Sequence, residues 1–346
     1  MNFKFLPLNS LENWLNELSS LGTLIAPVRY EDGYVAFKVN PPFNRIEQNF
    51  LNTAKPFKEF FFPPSETMFE FDITTDGFEV KTKKPEGQMV IFGARLCDAV
   101  GLLALDSAFG GEYSDPYYNE RRKNSFIIAM FCSLPHPTCF CESVQKLLTE
   151  PRGVDILLYP LDDGYVIESL SDKGNELIKK SEHLFTEPDS AQRQKRKDMI
   201  DSAVYAQSCK LDFSLLPEKF RKSSPASSFW EEQAEGCVSC GICSFLCPVC
   251  QCFSVQDISE GFHGERIRYW ASCQDCQFAK MAGGINPRPG KGERLFHRLA
   301  HKFSNAPFRN DMIFCTGCGR CIRYCPSHKD LIEILEKFLD YKEVKT

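Results

Sequence analysis

The feature that most constrains the fold of this chain is a pair of similar cysteine runs in its last third. The first, at residues 237–248, reads CVSCGICSFLCP, and the second, at residues 315–326, reads CTGCGRCIRYCP. Both follow the spacing C-x₂-C-x₂-C-x₃-C-P, which is typical of bacterial iron–sulfur ligation. Structural zinc sites usually show two CxxC pairs or mixtures of Cys and His instead. The runs therefore predict two [4Fe–4S] clusters, and with them electron transfer.

Each run supplies three closely spaced thiols and a fourth about one helical turn further on. In this pattern the fourth thiol usually ligates the other cluster. We therefore expect one cluster to be held by Cys237, Cys240, Cys243 and Cys325. We expect the other to be held by Cys315, Cys318, Cys321 and Cys247.

Four cysteines in the N-terminal half predict a third [4Fe–4S] cluster. Cys97 follows one short apolar strand, and Cys132 ends another. If these strands are parallel neighbours, both thiols lie at the carboxyl edge of the sheet, where open α/β sheets bind ligands. Cys139 and Cys141 follow in a Pro-flanked loop that can fold back over that edge. The alternative is four unrelated cysteines, since buried free Cys is common, but the C-x-C pair favours a cluster.

The pattern along the chain predicts two domains and a connector. Residues 1–185 read as an α/β domain with a mixed, largely parallel sheet, because short apolar strands alternate with helices. Residues 186–235 read as a helical connector that ends in a flexible linker. Residues 236–346 read as an α-helical domain of the bacterial two-[4Fe–4S] ferredoxin-like type.

Local patterns predict particular elements of the first domain. Residues 11–21 have helical apolar spacing, with Ser10 as a plausible N-cap. Residues 23–28 and 34–38 read as a β-hairpin, and residues 89–92 and 126–131 as buried strands of the sheet.

Composition excludes several classes of protein. A net charge of −5 gives no general attraction to nucleic acid or anionic membranes. The first residues lack the pattern of a secretory signal, and no apolar run approaches the roughly 20 residues of a membrane span. We therefore expect a cytoplasmic protein whose 17 cysteines are reduced and serve partly as metal ligands.

Four cysteines and one basic segment stay open at this stage. Cys250 and Cys252 form a C-x-C pair that either donates to a metal or packs beside a cluster, and packing is favoured. Cys273 and Cys276 form a C-x-x-C pair without the strand–helix context of a redox dithiol, so packing or partner contact is preferred. Residues 262–302 carry eight Lys and Arg against three acids. They read equally well as cations that tune the clusters or receive an acidic partner, and as a solvated helix.

No motif for substrate chemistry stands out in the sequence. There is no G-x-G-x-x-G after a strand, no Walker loop and no evident catalytic triad. The sequence supplies electron-transfer centres, which indicates a subunit whose donor and acceptor lie on other chains.

Several segments together resemble one family. They are residues 92–98 (FGARLCD), 139–141 (CFC), 237–253 with its CPVCQCF ending, 268–273 (RYWASC) and 315–321 (CTGCGRC). The chain is similar to the dicluster electron-transfer subunits of cytoplasmic sulfhydrogenase-type [NiFe]-hydrogenases, where they form the beta chain, and of anaerobic sulfite reductases. The resemblance implies a third cluster and a hetero-oligomer in which one partner binds flavin and NAD(P) and another is catalytic.

The leading hypothesis is thus a non-catalytic relay subunit that passes single electrons between those two partners. One rival is a self-contained flavin-dependent iron–sulfur oxidoreductase. A weaker rival is a nucleic-acid-binding module with structural clusters.

Overall fold

The computed structural model describes residues 3–82, 84–207 and 209–342. Met1 and Asn2 of the predicted first domain, and residues 343–346 of the predicted last one, lie outside them. The strands are β1 (Phe3–Pro7), β2 (Thr23–Arg29), β3 (Val35–Val39), β4 (Ser65–Thr74), β5 (Gly77–Thr82), β6 (Met89–Ala94), β7 (Ser125–Met130), β8 (Ile156–Pro160), β9 (Gly164–Ser169), β10 (Phe253–Glu260) and β11 (His263–Trp270).

The helices are distributed over the whole described chain. They are α1 (Leu11–Ser19), α2 (Leu96–Phe109), α3 (Pro116–Lys123), α4 (Cys141–Gln145), α5 (Asp172–Lys180), α6 (Ser190–Tyr205), α7 (Leu216–Arg221), α8 (Ser228–Ala234), α9 (Ile242–Phe245), α10 (Lys291–Ala300), α11 (Ala306–Asn310), α12 (Arg320–Arg323) and α13 (Leu331–Asp340). None of the helices in this part of the chain is both long and apolar enough to cross a membrane.

A mixed sheet organises the N-terminal half. Its seven described strands have the order β1-β9-β8-β7-β6-β2-β3. The central strands β2, β6, β7 and β8 are parallel, whereas β1, β9 and β3 are joined by antiparallel pairs at the two sides. The predicted mixed sheet is confirmed, and its parallel part is limited to the centre.

The central strands are mainly apolar, as expected of strands in a sheet that is covered on both faces. Successive residues of a strand point to opposite faces, so Ile91 and Ile127 join one apolar cluster with α2. Val90 and Ile128 join a second cluster with α1 and α5 on the other face. The sheet thereby holds the carboxyl ends of β6 and β7 side by side.

The local predictions for the first domain are largely confirmed. β2 and β3 form the expected antiparallel hairpin, and α1 occupies the expected apolar stretch. Ser10 precedes α1, but its hydroxyl makes no capping bond. Its backbone angles (φ −93°, ψ −8°) are already helical, whereas a capping residue is normally extended.

A second, antiparallel sheet joins distant parts of the chain and was not predicted. Its strands have the order β10-β11-β4-β5, so a hairpin from between the two cysteine runs pairs with one from the N-terminal half. Arg268 of β11 is 1% exposed and forms ion pairs with Glu66 of β4 and with Asp115. The sequence predicted an α-helical C-terminal region, but this region also contains the strands β10 and β11.

The helices of the last third pack around an aromatic core. Phe220, Trp230 and Phe338 lie together in it, with the ring centroids of Phe220 and Phe338 4.6 Å apart. Phe220 and Trp230 come from residues 186–235, the predicted connector, which therefore contributes buried side chains to this core.

Candidate metal centres

The first cysteine run folds as a loop that leads into a short helix. Cys237 and Cys240 lie in the loop, and Cys243 lies in α9, which begins after Gly241. Gly241 has a φ of +76°, in the left-handed region that glycine adopts without strain. One cavity is lined by these three thiols and by Cys325 of the second run. The fold thus brings together the four thiols that the spacing assigns to one cluster.

The thiols of the second run are gathered around the fourth cysteine of the first run. Burial raises the pKa of Cys315 to about 12 and that of Cys321 to about 11, and it also raises the pKa of Cys318. In all three, the negative charge of Cys247 adds to the rise in pKa. Such an effect requires the Cys247 sulfur to lie near all three thiols. This position agrees with the exchange of fourth cysteines expected from the sequence, which stays a prediction.

The four N-terminal cysteines line a second cavity. Cys97 lies in the first turn of α2, directly after β6, and Cys132 follows β7. Because β6 and β7 are parallel neighbours, both residues lie at the carboxyl edge of the sheet, as predicted. Cys139 and Cys141 return over this edge and line the same cavity.

The N-terminal loop is fixed against the second cysteine run. The backbone N–H of Phe140 donates to the carbonyl of Gly317 at 2.8 Å, and the Cys139 thiol lies 3.6 Å from the carbonyl oxygen of Cys318. A Cβ on Gly317 would lie 2.5 Å from the backbone of Cys141. Glycine at this position therefore permits the close approach of the two cysteine segments.

The second run lies between the other two groups of thiols. Cys318 also lines the N-terminal cavity, and Cys321 also lines the cavity of the first run. The order in space is therefore the N-terminal group, the second run and the first run. Contiguous redox centres in this order would allow single electrons to move along the chain.

The chemistry of these thiols suits iron–sulfur clusters. Thiolates are the usual protein ligands of [4Fe–4S] clusters, and each predicted set contains four. Burial raises the pKa of the four N-terminal thiols and of Cys315, Cys318 and Cys321. These thiols keep their protons unless positive charge replaces them, which is what metal binding does. A tetrahedral zinc ion needs four sulfurs about 3.8 Å apart. Over residues 3–82, 84–207 and 209–342, no three His, Cys, Asp or Glu side chains converge on a single-metal site.

Two buried cations from the basic segment lie against the cysteine runs. Lys302, 3% exposed, lies in a π-helical turn (His301–Asn305) between α10 and α11. Its Nζ is 3.3 Å from the sulfur of Cys247 and 3.6 Å from that of Cys250. Burial alone would lower the pKa of Lys302, but the neighbouring thiolates outweigh burial and raise it. Arg298 is also buried and donates to the carbonyl of Cys243 at 2.9 Å.

Other buried cations were not singled out from the sequence. Lys58 donates to the carbonyls of Cys247 and Cys250, each at 2.8 Å. Arg320, fully buried in the second run, forms an ion pair with Asp98, next to Cys97. No local pattern in the sequence distinguishes Lys58. The resemblance of residues 92–98 to the family, by contrast, could have drawn attention to Asp98.

The remaining cysteines are placed differently from one another. Cys250 and Cys247 share the ammonium of Lys302, and Cys247 raises the pKa of the Cys250 thiol. The Cys273 thiol likewise raises the pKa of Cys252. Cys276 is exposed. The C-x-C and C-x-x-C pairs of the sequence are therefore not the pairs that the fold brings together.

Two comparisons with known proteins bear on these centres. The profile of a family described as "4Fe-4S dicluster domain" matches residues 236–329. The chain is 30% identical over 325 residues to sulfhydrogenase 2 subunit beta of Pyrococcus furiosus, and the similarity covers 94% of each chain. The profile spans both cysteine runs, and the similarity to the Pyrococcus protein extends over nearly the whole chain.

Proposed function

The chain belongs to the family of sulfhydrogenase beta subunits, and from this premise we propose that it is an iron–sulfur electron-transfer subunit of a hydrogenase-type oxidoreductase complex. The dicluster profile agrees with this function. The proposed role is relay: the protein takes up and passes on single electrons, and substrate is converted on another subunit.

Three sets of cysteines would hold three [4Fe–4S] clusters. The N-terminal cluster would be held by Cys97, Cys132, Cys139 and Cys141. The cluster of the second run would be held by Cys315, Cys318, Cys321 and Cys247. The cluster of the first run would be held by Cys237, Cys240, Cys243 and Cys325. When bound, such clusters supply one-electron oxidation and reduction at potentials that the surrounding protein sets.

The position of the second run is the observation that carries this proposal. Because Cys318 borders the N-terminal cavity and Cys321 borders the cavity of the first run, the three sets are consecutive. Buried Arg298 and Lys302 supply positive charge beside the thiols, which favours the reduced, more negative state of a cluster.

The two ends of this arrangement come close to the protein surface. At one end Cys240 is exposed and Val238 is 64% exposed. At the other, Leu134, two residues after Cys132, is 68% exposed. Exposed apolar residues of this kind fit interfaces with other subunits. One end would receive a flavin- and NAD(P)-binding subunit, and the other a catalytic subunit of the hydrogenase or sulfite reductase type, in a cytoplasmic hetero-oligomer.

The test removes one predicted ligand of the N-terminal cluster. We expect Cys139→Ala to lose about a third of the iron and acid-labile sulfide, and one [4Fe–4S] signal in EPR, because one of three clusters lacks a ligand. Cys209→Ala is the matched control, since Cys209 is half-buried and belongs to none of the three sets. Equal iron and unchanged spectra in the two variants would contradict the N-terminal cluster.

A second candidate function is the self-contained flavin-dependent oxidoreductase, and one cavity favours it. The cavity has a volume of about 660 Å³ and lies at the carboxyl edge of the sheet, with Tyr34, Arg95, Cys132 and Tyr165 in its lining. Its size and position suit a ligand site of an α/β fold. Flavin retained by the purified chain, or turnover without partner subunits, would favour this function over relay.

A further inference from the structure

The antiparallel register of β10 and β11 brings two distant cysteines together. Phe253 pairs with Trp270 at the end of the ladder, and the next backbone bond runs from the N–H of Ala271 to the carbonyl of Cys252 at 2.9 Å. Cys252 is thus held opposite Ala271, which lies two residues before Cys273. Their thiols are close enough to interact: Cys273 raises the pKa of the Cys252 thiol, and Cys252 lowers the pKa of the Cys273 thiol.

The Cys273 thiol lies in a polar pocket beside the first cysteine run. It is 8% exposed. Its sulfur accepts from the side-chain amide of Gln274 at 3.5 Å and lies 3.9 Å from the hydroxyl of Ser244. Ser244 is the residue after Cys243, a predicted ligand of the first cluster. Space is tight here, because a Cβ on Gly241 would lie 3.0 Å from that of Ser272.

We propose that Cys252 and Cys273 form a redox-active dithiol–disulfide pair in contact with the cluster site of the first cysteine run. The proposal rests on the proposed function, which supplies a one-electron iron–sulfur donor at that site. On reduction, the S–S bond breaks as it takes up two electrons and two protons, and two thiols form. The electrons arrive singly, and the iron–sulfur donor is oxidised by one electron for each. Oxidation of the pair reverses these changes.

The arrangement favours this pair over the C-x-x-C pair of the sequence. Cys276 is exposed, and its sulfur contacts the side-chain amide of Gln277 at 3.6 Å. Its carbonyl is held by Asn286 at 2.7 Å. Cys252, by contrast, is held opposite Ala271 by the backbone bond that extends the sheet.

The first experiment identifies the disulfide in the cluster-loaded chain. The anaerobically purified protein is equilibrated with oxidised or reduced dithiothreitol, alkylated, digested and analysed by mass spectrometry. In the oxidised sample we expect about two fewer alkylated thiols than in the reduced one, a linked peptide containing Cys252 and Cys273, and unchanged iron. A linked peptide containing Cys273 and Cys276, or no change in alkylation, would overturn the proposal.

The second experiment counts electrons in the oxidised protein. In an anaerobic titration with reduced methyl viologen, we expect the parent to take up about two more electrons per chain than Cys273→Ser. Cys276→Ser is the matched control and should take up as many as the parent. Equal uptake by all three proteins would overturn the proposal, as would loss of iron from Cys273→Ser, which would make Cys273 a cluster ligand. Iron missing from the parent itself would instead contradict the proposed function.

Discussion

Replacement of Lys302 by methionine tests whether buried charge controls the potential of the second-run cluster. Nζ of Lys302 lies 3.3 Å from the sulfur of Cys247, and two unit charges at this distance interact by about 5 kcal/mol at an effective dielectric constant of about 20. An electron added to a cluster is spread over its atoms, so about half of that energy, roughly 2–3 kcal/mol, applies. At about 59 mV for each 1.4 kcal/mol in a one-electron reaction, the reduction potential should fall by about 100 mV in Lys302→Met.

The assay is an anaerobic redox titration followed by EPR. Lys302→Arg keeps the charge and should leave the potential within about 30 mV of the parent. Lys337→Met removes an exposed lysine of α13 that is paired with Glu333, and it controls for a change in net charge. A Lys302→Met protein with full iron content and an unshifted potential would refute the electrostatic reasoning.

Three further predictions concern stability and assembly. Arg320→Met leaves the buried carboxylate of Asp98 without its ion pair, and we expect the free energy of unfolding to fall by about 3–5 kcal/mol in anaerobic denaturant titrations. Gly317→Ala places a Cβ 2.5 Å from the C-x-C loop, and we expect loss of about a third of the iron because the N-terminal cluster is not assembled. Burial and then the nearby ammonium of Lys302 lower the pKa of His301 to about 4. Protonation between pH 6.5 and 4 therefore favours the unfolded state, and stability should fall by roughly 2–3 kcal/mol over that range in the parent but not in His301→Gln.

Each of these predictions has its own control. Gly283→Ala has a similar backbone cost at a φ of +80° but no atom within 4 Å of the new Cβ, so it should keep all its iron. Asp98→Asn combined with Arg320→Met removes both charges and should be less destabilised than Arg320→Met alone. If the free energy of unfolding falls equally between pH 6.5 and 4 in His301→Gln and in the parent, the predicted role of His301 is contradicted.

Much of the candidate site was predictable because its information is local. The spacing of each run places three thiols within a few residues, and the apolar strands before Cys97 and Cys132 are long enough to read from the sequence. Parallel pairing of β6 and β7 then follows from the alternation of strands and helices. The mixed sheet and the gathering of the four N-terminal cysteines were both accessible by this reasoning.

The rest depends on pairings between distant segments. β10 is mostly exposed, and its apolar alternation at Phe253 and Val255 stops at Asp257. Its partner β11 is joined to β4, about 200 residues away in the chain. The contact of Cys252 with Cys273 depends on that sheet. Lys58 can be recognised only when the fold places the carbonyls that it binds beside it, because the sequence FKEF at residues 57–60 carries no local signal.

The most direct test of three clusters is the iron and acid-labile sulfide content of the anaerobically purified chain. We expect about twelve of each per chain, with EPR signals of [4Fe–4S] clusters on reduction. About eight of each would contradict the N-terminal cluster. Zinc in place of iron and sulfide would contradict electron transfer by this chain altogether.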